Sequence, residues 1–210
     1  MDTGGKRESN IISKIMIEQL IEYDKSLLQF LNGFHTPWLD PVMLILTETV
    51  TWLPLYLFLL YLVIKEYKKE SWMILLGVVL TILLADQVTA SIMKPYFARL
   101  RPSREPTLEG LVHLVQGYQG GQFGFASSHA ANSFGVTTFF FLVFGSTKPW
   151  IGWLFLWAAF ITYTRIYLGV HYPGDILVGA LVGTICGWIG FKISEWMIEW
   201  DRKRKLAAPR

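Results

Sequence analysis

Eight polar residues in three short clusters interrupt an otherwise apolar chain: Lys94 and Arg101; Ser127, Ser128 and His129; and Arg165, His171 and Asp175. Together they can handle a phosphate. Lys94, Arg101 and Arg165 carry permanent positive charge, and a guanidinium grips two phosphoryl oxygens at once. One imidazole can attack phosphorus, a second can protonate the departing oxygen, and a carboxylate can orient the attacker. A metal is disfavoured, because the histidines are accompanied by cations that repel a divalent ion and no carboxylate cluster supplies hard oxygen ligands. The set reads as a phosphatase centre with neither metal nor cofactor.

Order and spacing carry a resemblance. The segments K-P-Y-F-A-R-L-R-P (94–102), A-S-S-H (126–129) and T-R-I-Y-L-G-V-H-Y-P-G-D (164–175) resemble the three signature motifs of the type 2 phosphatidic acid phosphatase family, K-x6-R-P, P-S-G-H and S-R-x5-H-x3-D. Every charged or imidazole position is matched, in the family order. Ala126 stands where the family has Pro, Ser128 where it has Gly, and Thr164 where it has Ser. If the Gly is needed at positive φ, Ser128 strains the loop by about 1 kcal/mol or more; if only its N–H is used, Ser serves equally. The resemblance implies a helical membrane enzyme that dephosphorylates a lipid through a phosphohistidine, with His129 as general acid. For a short bacterial-type chain it favours an isoprenoid diphosphate such as undecaprenyl diphosphate. Phosphatidylglycerol phosphate, phosphatidic acid and lipid A phosphate are alternatives, and a phosphotransferase using the same phosphohistidine is the rival reaction.

The local sequence suggests how each group is held. Pro95 starts a new short helix at Lys94 that Pro102 closes, leaving Lys94 and Arg101 about 10 Å apart, a gap two long side chains can close on one phosphate. Membrane-end Lys and Arg also snorkel, and that plain role is expected for Arg99 and Arg104, which match no fixed motif position. Ser128 is a natural N-cap for the apolar helix that follows, whose free amides make an anion site with Ser127. Pro173 suits the first turn of the last helix, with Asp175 near its third position and His171 just ahead. Asp175 then accepts the His171 Nδ1 proton and leaves Nε2 free, which makes His171 the nucleophile and Arg165 the third clamp.

These groups need a membrane scaffold. The 210 residues are 52% hydrophobic and 15% aromatic, and the mean hydropathy of +0.38 belongs to the membrane class. A net charge of +3 with no basic helix or zinc-finger spacing argues against nucleic acid. The partners expected are therefore the bilayer and a membrane lipid substrate. Cys186 is alone in an apolar run and reads as a packing residue, and no signal-peptide pattern opens the chain. The fold class is all-α, an integral membrane bundle of about five or six transmembrane helices with an N-terminal interfacial amphipathic helix.

Residues 1–36 form the tail and amphipathic helix, with Ile12, Met16, Leu20 and Leu27 opposite Glu18, Glu22, Lys25 and Asn32. Residues 37–200 form the phosphatase domain, and 201–210 a basic cytoplasmic tail. Apolar runs at 41–64, 71–93, 129–146, 149–165 and 175–198 give five crossings by count, which bring all three motifs to one membrane face. Lys65, Lys68, Lys69, Lys148 and Arg202 to Lys205 mark the other face as cytoplasmic, although Lys6, Arg7, Lys14, Lys25, Arg99 and Arg104 lie on the motif side. The active site therefore faces the periplasm or exterior of a bacterial inner membrane. Glu48 and Asp86 are expected inside spanning helices as supporting groups, with a kink at Pro54. Gly179, Gly183 and Gly187 let another helix approach the last one closely. His35 and His113 match no motif and are expected at the surface or interface.

Overall fold

The structure, a computed structural model, describes residues 3–207, with side chains from Ile11 onward. Lys6, Arg7 and the tail residues 208–210 lie outside those described side chains. Among the described residues the regular structure is helical, apart from one isolated β-bridge between Leu100 and Phe123. The helices are α1 (Thr3–Asn32), α2 (Asp40–Thr47), α3 (Leu53–Tyr67), α4 (Ser71–Asp86), α5 (Lys94–Phe97), α6 (Ser128–Phe144), α7 (Leu154–Tyr167) and α8 (Pro173–Ala207). Two stretches, Thr49–Phe97 and Pro173–Ala207, are long and apolar enough to cross a membrane. Leu57, Leu83, Leu156, Leu177 and Leu181 point outward, which suits a hydrocarbon surround.

α6 packs most closely against α8, and α4 packs against both. Small residues make this possible. A methyl group on Gly183 would run into the Ala131 carbonyl, and one on Gly187 into the Gly135 carbonyl, so the glycine repeat of α8 packs inside the bundle. At the end away from the motifs, Leu59, Val63, Ile74, Phe139, Phe144 and Leu154 form the largest apolar cluster. Ion pairs close that end, Lys148 to Glu66 at 2.8 Å and Arg202 to Glu70 at 3.0 Å. α8 continues without a break through the basic residues 201–207.

The run at 41–64 is not one helix. α2 stops at Thr47, Glu48 is extended (φ −76°, ψ 133°), a 3-10 turn covers Thr49–Trp52, and α3 begins at Leu53. Pro54 has no N–H to continue the helical ladder, so the helix restarts around it. Thr51 Oγ1 donates to the Ile45 carbonyl at 2.5 Å and Trp52 Nε1 to the Leu46 carbonyl at 2.8 Å, which satisfies acceptors left open at the end of α2. Glu48 is thus exposed at a break ahead of Pro54, not inside a helix kinked at Pro54. Asp86 ends α4, is exposed, and makes no ion pair among the described residues.

α1 also departs from a simple amphipathic reading. Ile11, Ile15, Met16 and Leu20 are exposed, as on a helix lying against lipid. Its last turns instead enter the bundle. Leu28 is fully buried, and Asn32, assigned above to the polar outer face, is only 2% exposed. Asn32 Nδ2 donates to the carbonyls of His113, Ile166 and Tyr167 at 3.1, 3.2 and 2.8 Å, and Oδ1 accepts from the His113 N–H at 2.7 Å. His113 also bonds Asp40 at 3.0 Å and stacks on His35 at 3.8 Å, so it ties the long loop after α5 to the α1–α2 connection.

Candidate active site

The C-terminus of α7 and the N-terminus of α8 build one half of the site. Gly169 (φ +68°) ends α7. Its N–H bonds the Ile166 carbonyl at 2.9 Å and the Val170 N–H bonds the Arg165 carbonyl at 3.1 Å, the pair of bonds that closes a helix through a left-handed glycine. Two residues later His171 is 1% exposed. Its Nδ1 lies 3.3 Å from Asp175 Oδ2, and that oxygen also accepts the Tyr172 N–H at 3.1 Å. Asp175 occupies the third position of α8 and reaches back to the capping residue, half of a capping box.

The other half comes from α5, the long loop and α6. The short helix at Lys94 ends at Ala98 (φ +46°), not at Pro102. The chain then runs extended, with the Arg101 N–H bonding the Gln122 carbonyl at 3.1 Å and the Gly124 N–H bonding the Arg99 carbonyl at 2.9 Å. This turn brings Arg101 onto the dyad, its Nη1 3.2 Å from His171 Nε2 and 3.3 Å from the Val170 carbonyl. Because guanidinium only donates, Nε2 must accept; Nδ1 then carries the hydrogen and faces Asp175.

Lys94 Nζ donates to Ser128 Oγ at 2.8 Å. The N-cap of α6 is Ser127, one residue earlier than expected: its backbone is extended and its Oγ accepts the Ala130 N–H at 3.4 Å. Ser128 is the first helical residue and has no positive φ, so its replacement of Gly is unstrained and its hydroxyl is free to meet Lys94. A methyl group on Gly179 would lie 2.5 Å from the Ser127 carbonyl, so α8 carries the loop at van der Waals distance.

Arg165 is 3% exposed, donates to Thr47 Oγ1 at 2.7 Å and to Tyr118 OH at 3.1 Å, and has no partner at Nε. His129 is half-buried and opens onto a largely apolar cavity of about 370 Å³ lined in part by Thr47, Tyr56, Asn132, Val136 and Trp157. All eight sequence-predicted residues thus gather at one end of the bundle.

Several residues were missed. Arg99, expected to be an interfacial anchor, donates to Asp175 Oδ1 at 2.9 Å and to Asp24 Oδ2 of α1 at 2.7 Å. Thr47 and Tyr118 hold Arg165. Gly124 lies against the dyad, where a Cβ would sit 2.9 Å from Asp175 Oδ2. A polar residue inside an apolar run was the available signal for Thr47; none marks the others.

Charge and burial act together here. Burial, then the charges of Arg101, Arg165 and Lys94, pushes the His171 pKa well below the ordinary histidine value, so the ring is neutral at neutral pH. Burial likewise lowers Arg101, followed by repulsion from Arg165. An anion entering between these groups relieves that repulsion.

The chain is 43% identical over 182 residues to a lipid A 4'-phosphatase of Bacteroides thetaiotaomicron, covering 85% of this chain and 80% of that one. It is similar to the crystal structure of LpxE from Aquifex aeolicus, with a TM-score of 0.61 and 30% identity over 80% of this chain and 93% of that one. Its fold is also that of the transmembrane PAP2 type phosphatidylglycerolphosphate phosphatase from Bacillus subtilis, with a TM-score of 0.58 and 22% identity over 84% of this chain and 87% of that one. The PAP2 superfamily pattern matches residues 72–199, which contain the three motifs and all eight gathered residues, and the chain belongs to the PAP2 superfamily.

Proposed function

We propose that this membrane lipid phosphatase hydrolyses a phosphate monoester of lipid A through a phosphohistidine at His171. The observation that carries the chemistry is the orientation of His171, with Nδ1 tied to Asp175 and the Nε2 lone pair directed at Arg101. The likeness to a lipid A 4'-phosphatase moves the favoured substrate from undecaprenyl diphosphate to the lipid A alternative. The apolar cavity beside His129 supports a leaving group with a lipid tail.

In this reading Lys94, Arg101 and Arg165 grip the non-bridging oxygens, with the free amides at the start of α6. His171 Nε2 attacks phosphorus as the bond to the lipid oxygen breaks, and His129, which takes up the proton carried in by the phosphate monoester monoanion, gives that oxygen a proton. Asp175 stabilises the positive ring through Nδ1–H. Water then attacks the phosphohistidine, passes a proton to His129, and releases phosphate and neutral His171. Five crossings, a periplasmic or outer site, α1 on the outer interface and a cytoplasmic basic tail at 201–210 complete the topology, supported by the basic residues gathered opposite the site.

The test is phosphate release by purified protein from lipid A, phosphatidylglycerol phosphate, phosphatidic acid and undecaprenyl diphosphate, with and without excess chelator. Release from lipid A that survives chelation and disappears in His171→Ala is expected. Loss of turnover on chelation, restored by Mg²⁺ or Zn²⁺, would overturn the mechanism. Preference for undecaprenyl diphosphate would overturn the substrate, and dependence on a second lipid would make the enzyme a phosphotransferase.

A further inference from the structure

We infer that Arg99 and Asp24 are positioning residues for the nucleophile, a relay by which α1 sets the Asp175 carboxylate behind His171. It rests on the assignment of His171 as nucleophile. The Arg99 guanidinium spans two carboxylates with separate nitrogens, Nη1 to Asp175 Oδ1 at 2.9 Å and Nη2 to Asp24 Oδ2 at 2.7 Å. It lies over the Tyr172 ring, 3.8 Å from the centroid, which fixes its plane. Both Asp175 oxygens are thereby assigned, Oδ1 to Arg99 and Oδ2 to His171 and the Tyr172 N–H. Losing Arg99 frees the carboxylate to rotate, and the acceptor that holds Nδ1–H goes with it.

Asp24 does two things at once. Its Oδ1 accepts the Gly174 N–H at 2.7 Å, in the first turn of α8, so α1 caps α8 from outside the helix while Oδ2 holds Arg99. Neither residue is explained by interfacial anchoring, because Asp24 and Arg99 side chains are only 15% and 25% exposed. α1 lies outside residues 72–199, which carry the family match. A groove of about 1030 Å³ between α1 and the start of α8 has Arg99, Tyr172 and Gly174 in its wall, which makes the relay reachable by a small cation.

The variants separate positioning from bulk stability. Asp24→Asn keeps an acceptor for the Gly174 N–H but turns an amide toward Arg99; Arg99→Lys keeps the charge but not the two-carboxylate span. Full-length protein in detergent or native membrane is assayed for kcat, KM and competitive inhibition by inorganic phosphate. The four histidines are followed by nitrogen-15 resonance. For Arg99→Ala, kcat should fall roughly 10- to 100-fold while the phosphate inhibition constant stays within about twofold, because the cradle is intact and only the attacker is misaimed. Added guanidinium should recover part of that loss in Arg99→Ala and none in His171→Ala. Arg99→Lys and Asp24→Asn should lie between Arg99→Ala and wild type, and the double variant should be no worse than Arg99→Ala alone.

The His171 resonance should move from a single Nδ1–H form toward a mixture in Arg99→Ala. An unchanged kcat with an unchanged His171 resonance would overturn the inference. So would parallel loss of kcat, phosphate affinity and thermal midpoint, the mark of a structural prop. If wild type releases no phosphate from any lipid phosphate yet the resonance shifts as described, the phosphatase reading fails and the positioning role stands.

Discussion

The proposed attack on phosphorus needs an unprotonated His171, and burial together with Arg101, Arg165 and Lys94 keeps it so. In the unfolded chain the same ring takes a proton below about pH 6.5. A histidine that protonates only when unfolded removes stability as pH falls through that value and changes nothing above it. His171→Asn should therefore gain thermal midpoint relative to wild type between about pH 7 and pH 5, measured by calorimetry in detergent; a constant difference would mean the folded site accepts the proton. The two histidines should also fail at different steps. An activated aryl phosphate leaves without acid help, whereas a sugar alkoxide needs a proton, a contribution of about 10² to 10⁴ in rate. His129→Ala should thus keep more activity on the aryl substrate than on lipid A, while His171→Ala loses both alike. The eight central residues were legible because short, fixed intervals carry them. Arg99 and Asp24 were not, since they lie 75 residues apart and neither interval nor residue type announces such a pair.

Helices were legible wherever apolar runs were long, and their ends were not. The break at Glu48 depends on Thr51 and Trp52 side chains reaching back to α2, and the turn at Ala98 on pairing with a loop more than twenty residues away. Propensity within a window sees neither. The α8 glycine repeat was visible as spacing, but its partner helices were not. At Gly183 an added methyl meets the Ala131 backbone of α6, which cannot rotate away, whereas at Gly152 it meets only the edge of Phe141 at 3.8 Å. Gly183→Ala should cost about 1 to 3 kcal/mol by overpacking and lower the thermal midpoint, and Gly152→Ala should be silent in the same melt.

Over the whole molecule, the two ends of the bundle are held by different forces. Ion pairs with exposed members close the end at Glu66 and Glu70, while buried hydrogen bonds and ion pairs knit the end that holds the candidate site. Composition anticipated the membrane class, but not that α1 is stitched into the site, because the stitch is one amide and one carboxylate on a helix otherwise rich in exposed apolar side chains. That amide has a chemical lifetime. Asn32 precedes Gly33, the pairing in which a backbone nitrogen most readily attacks a side-chain amide and expels ammonia. In the native helix both polar atoms of its side chain are engaged, and the Gly33 N–H is held by the Gln29 carbonyl at 2.9 Å, so the attack geometry is withheld. Once local opening allows it, the new carboxylate would confront three carbonyl oxygens where an NH₂ stood, and an uncompensated buried charge costs about 3 to 5 kcal/mol. Ageing should therefore be one-way: enzyme stored warm and mildly alkaline in detergent should lose activity in step with deamidation of the Asn32-Gly33 peptide by mass spectrometry, and Asn32→Asp should show the aged phenotype from the outset.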